Sequence, residues 1–106
     1  MKQGAAKGVV YTLRIKKMYF DKILTGEKRK EYRAVKPFYK FLEDPELSEI
    51  VFHYQQPRRL RCKVLKVRKI KTPARLKDSP IGFGSRVYEI TLGKVKEFTC
   101  QDFTAQ

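Results

Sequence analysis

Short stretches in which apolar residues recur at every second position crowd this chain, and they constrain its fold more than any other feature. Val9 to Ile15 (VVYTLRI) sets Tyr11, Leu13 and Ile15 against Thr12 and Arg14, the alternation of a half-buried strand. Glu49 to Tyr54 (EIVFHY) puts Ile50, Phe52 and Tyr54 in one phase, and Arg86 to Leu92 (RVYEITL) does the same with Tyr88, Ile90 and Leu92. Gly93 is expected to break that strand, with Val95 to Phe98 resuming it. The longest stretch is Leu60 to Ile70 (LRCKVLKVRKI), where Leu60, Cys62 and Val64 share one phase and Leu65 and Val67 take the other. A phase change inside a strand predicts a bulge or bend, as at a barrel corner. Two segments carry helical spacing instead. Lys17 to Leu24 places Tyr19, Phe20, Ile23 and Leu24 on one stripe, and Gly26 stands where a C-terminal cap belongs. Pro37 opens a second short helix, with Phe38, Phe41 and Leu42 on one side and Asp44-Pro45 closing it. Thr72 to Gly84 reads as a loop with one helical turn at Ala74 to Lys77, and Gly82 and Gly84 shape a turn rather than a phosphate cradle.

The sum is an α+β chain of about five or six strands and two short helices. Closing so many strands into a small mixed β-barrel removes exposed edges. A length of 106 residues predicts a single domain over 9–106, preceded by a flexible tail over 1–8. Hydrophobic residues at 42% supply a modest core and argue against wholesale disorder. The longest apolar runs, such as Ile50-Val51-Phe52, span a few residues, which excludes a membrane-crossing helix. Met1 to Lys7 has no apolar core of a secretory signal, so a cytoplasmic location is expected. Cys62, Cys100 and the single histidine, His53, are too few for a four-ligand zinc site. No metal or cofactor is therefore expected, and free thiols fit a cytosolic chain better than a disulfide.

Charge points to the partner. Lys and Arg total 25 against 11 Asp and Glu, a formal net charge of +14. Such an excess favours a polyanion, RNA or a nucleotide first, with DNA left open. Eight of the basic residues lie between Arg58 and Lys71, a stretch without an acid. On a strand, Arg58, Arg59, Arg61 and Lys63 would begin a positive stripe that tracks a phosphate backbone. An ordinary amphipathic strand with Lys and Arg on its wet side explains the pattern equally well.

The second concentration, Gly26 to Arg33 (GEKRKEYR), is more specific. As a strand over Lys28 to Val35 it has no apolar face: Arg29, Glu31 and Arg33 share one side, Lys28, Lys30 and Tyr32 the other. Such a strand is an edge or the wall of a polar cleft. Glu31 and Arg33 would pair, leaving the Arg33 fork for a phosphate or base edge. Lys28 would contact phosphate or, if desolvated, act as a base. Solvated surface charges, the competing reading, pair at only about 0–1 kcal/mol. Tyr32, Tyr39 and Tyr54 are candidates for stacking on a base, whereas His53 is out of phase with its strand's apolar residues and reads as structural.

Gly26, Lys28, Glu31 and Arg33, with a strand and short helix before them and Tyr88 to Gly93 later, resemble the ASCH domain family of the PUA-like superfamily. The resemblance covers roughly residues 9 to 98 and implies a PUA-like β-barrel with a cleft at its mouth. It further implies an RNA- or nucleotide-binding module whose ligand meets Lys28, Glu31 and Arg33. Some members are hydrolases of modified nucleosides or RNA, which would make Lys28 and Glu31 the proton-transfer pair. One enzymatic branch, which deacylates acetylated cytidine, has a threonine three residues after the lysine and a distant glutamate. Glu31 stands at that threonine's position, and Thr72 to Pro80 offers only Asp78 as an acid. A module that docks an acidic protein is the third expectation.

Overall fold

The structure, a computed structural model, describes residues 8–55, 58–77, 79 and 82–100, with the backbone alone for Glu97, Thr99 and Cys100. Residues 1–7 of the expected tail, Asp78 and the Cys100 thiol lie outside that description. The elements run β1 (Val9–Arg14), α1 (Lys17–Leu24), β2 (Lys30–Ala34), a 3-10 helix (Pro37–Glu43), β3 (Leu47–Gln55), β4 (Arg58–Lys71), α2 (Ala74–Lys77) and β5 (Arg86–Cys100). The strands form one mixed sheet in the order β1-β3-β4-β5-β2. Only β1 and β3 run parallel; the other neighbours are antiparallel. The fold is thus α+β, a five-stranded sheet curled into a half-barrel with a few short helices.

Alternation explains the core. Leu13 pairs with Phe52, Phe52 with Leu60, and Ile50 with Cys62, so these apolar residues share the concave face. Tyr88, Ile90 and Leu92 continue it on β5, and α1 lays Phe20 and Ile23 into it. Each such side chain, when fully buried, contributes about 1.5–3 kcal/mol.

Three local expectations are corrected. First, β5 runs unbroken through Gly93. A Cβ there would lie 3.2 Å from the Leu65 side chain and 3.3 Å from Lys63 Cβ, so glycine permits the close approach of β4. Second, the expected irregularity in β4 is present, with register shifts between Arg61 and Lys66, but Leu65 does not join the core. Val64 pairs with Leu92 and Lys66 with Thr91, which leaves Leu65 as the extra residue, 59% exposed. Val67 then resumes packing against the core. Third, the second helix has a three-residue period. Leu42 is its buried residue, Tyr39 and Phe41 pack against the core, and Phe38 in the first turn is left 76% exposed.

Gly26 caps α1 at φ 86, a left-handed conformation that costs other residues far more. Its amide donates to the Ile23 carbonyl at 3.1 Å, and the Lys28 amide to the Lys22 carbonyl at 2.9 Å. Lys28 thereby belongs to the turn, which is why β2 begins only at Lys30.

Tyr88 secures the 3-10 helix to the sheet. Its hydroxyl donates to Glu43 at 2.6 Å, and Lys69 approaches the same carboxylate at 3.0 Å. Burial and the neighbouring Glu43 push the Tyr88 phenol from 10.0 up to about 12. The unfolded chain therefore loses this proton first, and the associated stability, complete below about pH 10, disappears as pH rises toward 12. Chemical denaturation across that window should show a falling unfolding free energy, with a shallower slope in Tyr88→Phe. An equal slope in both proteins would exclude Tyr88 as the cause.

Candidate functional site

Strand β2 is both a sheet edge and a cleft wall. Glu31 pairs with Ile90 and Arg33 with Tyr88, so the two charges occupy the same face as the core residues of β5. Glu31 is 7% exposed, and a carboxylate so placed needs compensation. Arg33 supplies most of it, donating from Nε at 2.7 Å and approaching with Nη2 at 2.7 Å. Lys28 Nζ lies 3.4 Å from the other carboxylate oxygen.

Arg33 does more than neutralise Glu31. Its Nη2 donates to the Arg14 carbonyl at 2.8 Å, its Nη1 to the Tyr39 hydroxyl at 3.3 Å, and its guanidinium lies 5.5 Å from the Tyr39 ring centre. Since β1 and β2 are the two free edges of the sheet, one side chain bridges the half-barrel's opening. The expectation of a free Arg33 fork is corrected: every nitrogen has a partner within the protein.

Lys28 stands inside the opening. Its ammonium donates to the Lys30 carbonyl and lies 5.2 Å from the Tyr19 ring centre and 6.0 Å from that of Tyr32. On the opposite face of β2, Tyr32 pairs with Glu89, which in turn pairs with Arg68 on β4. The Tyr32 hydroxyl donates to Glu89 at 3.1 Å, and Arg68 Nη2 donates to the same carboxylate at 2.7 Å. Arg68 above all, helped by Tyr32 and Lys30, holds the Glu89 carboxyl below its usual range against the opposing pull of burial. Arg75 Nη2 donates to the Tyr32 hydroxyl at 2.9 Å, and its guanidinium lies 5.2 Å from the ring centre. Tyr32 is therefore held from both sides.

Lys28, Glu31, Tyr32, Arg33 and Arg75 line a cleft of about 690 Å³ between the sheet edges, walled by α1, β2, the 3-10 helix and the segment around α2. This volume lies within the range of small-ligand sites. Of its 19 lining residues among those described, nine are Lys or Arg and two, Glu27 and Glu31, are acids. Tyr19, Tyr32, Tyr39 and Phe83 supply aromatic surface. Arg29, Lys30, Lys36 and Arg75 are exposed there, leaving much of their charge turned to solvent.

Lys28, Glu31, Tyr32 and Arg33 thus converge on one cleft, whereas Tyr54, Arg58, Arg59, Arg61 and Lys63 do not line it. Tyr54 packs edge-on against Phe20, with ring centres 4.9 Å apart. Arg59, Arg61 and Lys63 alternate with the buried Leu60 and Cys62, on the far face of the sheet. The stripe is interrupted by the register shifts and by three carboxylates. Arg61 lies 3.5 Å from Glu49, Arg68 2.7 Å from Glu89, and Lys69 3.0 Å from Glu43. Burial pushes the Cys62 thiol up to about 11, which makes it a poor nucleophile. Burial first, then Arg59 and Arg14, lowers the His53 pKa and favours neutral imidazole.

Sequence reasoning missed Tyr19, Arg14, Lys36 and Arg75 as cleft residues. Tyr19 carries a weak signal, lying at the margin of the α1 apolar stripe; the other three read as ordinary charges until the fold gathers them.

No family model matches the sequence, and neither a curated protein nor a solved structure matches it. Among the described residues, no group of three or more His, Cys, Asp or Glu is arranged to hold a metal ion. No helix among them is long and apolar enough to cross a membrane. Fold and cleft together define a small basic half-barrel with an electropositive, aromatic-walled opening.

Proposed function

We propose that the protein is an ASCH-type, PUA-like module of the cytoplasm that binds RNA or a nucleotide in this cleft. The observation carrying the reading is the meeting, in one opening of about 690 Å³, of nine basic side chains with tyrosine rings. The exposed cations draw a phosphate, and the rings offer a surface for a base. Lys28 beside Glu31 presents a donor and an acceptor together, complementary to the polar edge of a base. Arg33 acts as a positioning residue, holding Glu31 and the two sheet edges.

A titration with a fluorescent nucleotide over a range of salt tests this directly. Affinity should fall steeply with salt, and Arg29→Ala combined with Arg75→Ala should flatten the dependence and weaken binding about tenfold or more. A salt-independent affinity would overturn the reading, as would polyglutamate outcompeting RNA, which indicates an acidic protein partner.

One geometric observation favours a second reading, hydrolysis of a modified nucleoside or RNA. The Lys28 and Glu31 side chains are only 18% and 9% exposed and lie 3.4 Å apart, a distance across which a proton can pass through small motions. Product from acylated nucleosides or single-stranded RNA that vanishes in Lys28→Ala would establish it.

A further inference from the structure

Phe38 has no role in the core. Its ring is 76% exposed, yet it is braced edge-on by Tyr39, with ring centres 5.0 Å apart. It borders a second cleft of about 660 Å³ with Tyr54 and His53. Tyr54 is braced in turn by Phe20. Among the described residues no carboxylate lines this cleft, whereas Arg14, Lys16, Lys17 and Arg33 all do. Of these, Lys17 is paired with Asp21 at 2.8 Å, and Arg33 is engaged as described above. The two clefts adjoin: Arg14, Ile15, Lys16, Arg33 and Tyr39 line both. The bridge from Arg33 to the Arg14 carbonyl forms the ridge between them.

We propose that a single-stranded polynucleotide passes from the first cleft over the Arg14–Arg33 ridge into the second, where a base stacks on Phe38. The proposal rests on the nucleotide-binding reading and adds the class of ligand, a strand several nucleotides long rather than a mononucleotide. A strand alternates charged phosphates with flat apolar bases, and here braced rings alternate with cations along two adjoining clefts. Free phosphate would leave Phe38 unused. A duplex would keep its base faces stacked inside and unavailable to the ring. An acidic peptide would satisfy the cations without covering an exposed aromatic face.

The test compares a labelled mononucleotide, a single-stranded octanucleotide and an eight-base-pair duplex, in RNA and DNA form, on the full chain and on Phe38→Ala. The single strand should bind at least about tenfold tighter than both the mononucleotide and the duplex. Phe38→Ala should reduce the ratio of octanucleotide to mononucleotide affinity by roughly 5- to 100-fold, the usual cost of one lost stacking partner. Phe38→Trp should preserve the ratio. Because Phe38 is exposed, its truncation leaves the core packed, and an unchanged melting temperature confirms this. Either backbone behaving so supports the path, and a preference for RNA assigns a contact to the 2′-hydroxyl. A ratio unchanged in Phe38→Ala overturns the proposal, as does a duplex that binds as tightly as the single strand. Tighter binding to polyglutamate or to phosphatidylserine vesicles, sensitive to Phe38→Ala, also overturns it. If the mononucleotide binds but the ratio does not respond, only the extension falls; if no nucleotide of any length binds, the reading of the first cleft falls with it.

Discussion

Arg33→Ala is expected to cost about 3–5 kcal/mol of unfolding free energy and to raise the dissociation constant for a nucleotide tenfold or more. The substitution leaves Glu31, 7% exposed, with Lys28 at 3.4 Å as its remaining cation. It also removes the tie from β2 to the Arg14 carbonyl, so the cleft's two walls lose their common fixture. Arg33→Lys keeps the charge but cannot reproduce the fork and should recover only part of the loss. The discriminating measurement is a double-mutant cycle by urea denaturation. Removing the stranded charge in Arg33→Ala/Glu31→Gln should restore about 1–2 kcal/mol over Arg33→Ala alone. Additive effects of the two substitutions would mean that the pair is not coupled, and that Arg33 acts elsewhere.

Phe20→Ala should be comparably severe, at about 3–5 kcal/mol. Phe20 is 1% exposed, and its ring meets Tyr54 at 4.9 Å and Phe98 at 6.1 Å. The cavity left behind lies beneath both clefts, because α1 carries Tyr19 into the first and Tyr54 borders the second. A typical domain has only about 5–15 kcal/mol of stability, so a large share is removed. Thermal denaturation reads the loss. A cost below about 1 kcal/mol would mean that α1 does not pack on the sheet through this ring. Phe20→Leu, which keeps most of the volume, should lose much less and retain nucleotide binding.

Legibility differed between elements for physical reasons. The alternation in β1, β3 and β5 is a one-dimensional record of which side faces the core, so Leu13, Ile50, Phe52, Tyr88, Ile90 and Leu92 were readable. The α1 stripe and its Gly26 cap were readable in the same way. Leu65 was not, because a bulge changes which residue faces inward, and its position depends on the register with β5. Phe38 was misread because periodicity puts it on the same side as Phe41, and only the tertiary structure shows that the core reaches Phe41 but not the first turn. The partners of the β4 charges were not legible: a basic run says nothing about Glu43, Glu49 and Glu89, which come from other strands and helices to meet Arg61, Arg68 and Lys69.

By itself, the sequence determined the inventory: alternating segments that make a curled sheet of about five strands the economical fold, and one charged segment, Gly26 to Arg33, too polar on both faces for an interior strand. It placed Lys28, Glu31, Tyr32 and Arg33 together because neighbours in a short segment stay neighbours in space. Only the tertiary structure decided what those charges do. Bringing the free edges β1 and β2 within reach of one guanidinium gave Arg33 partners on both, so that it braces the opening. The same closure gathered Arg14, Tyr19, Lys36 and Arg75 around Lys28 and set that opening beside the cleft that Phe38 borders. Contacts between residues far apart in the chain depend on strand order and register, which local periodicity does not encode.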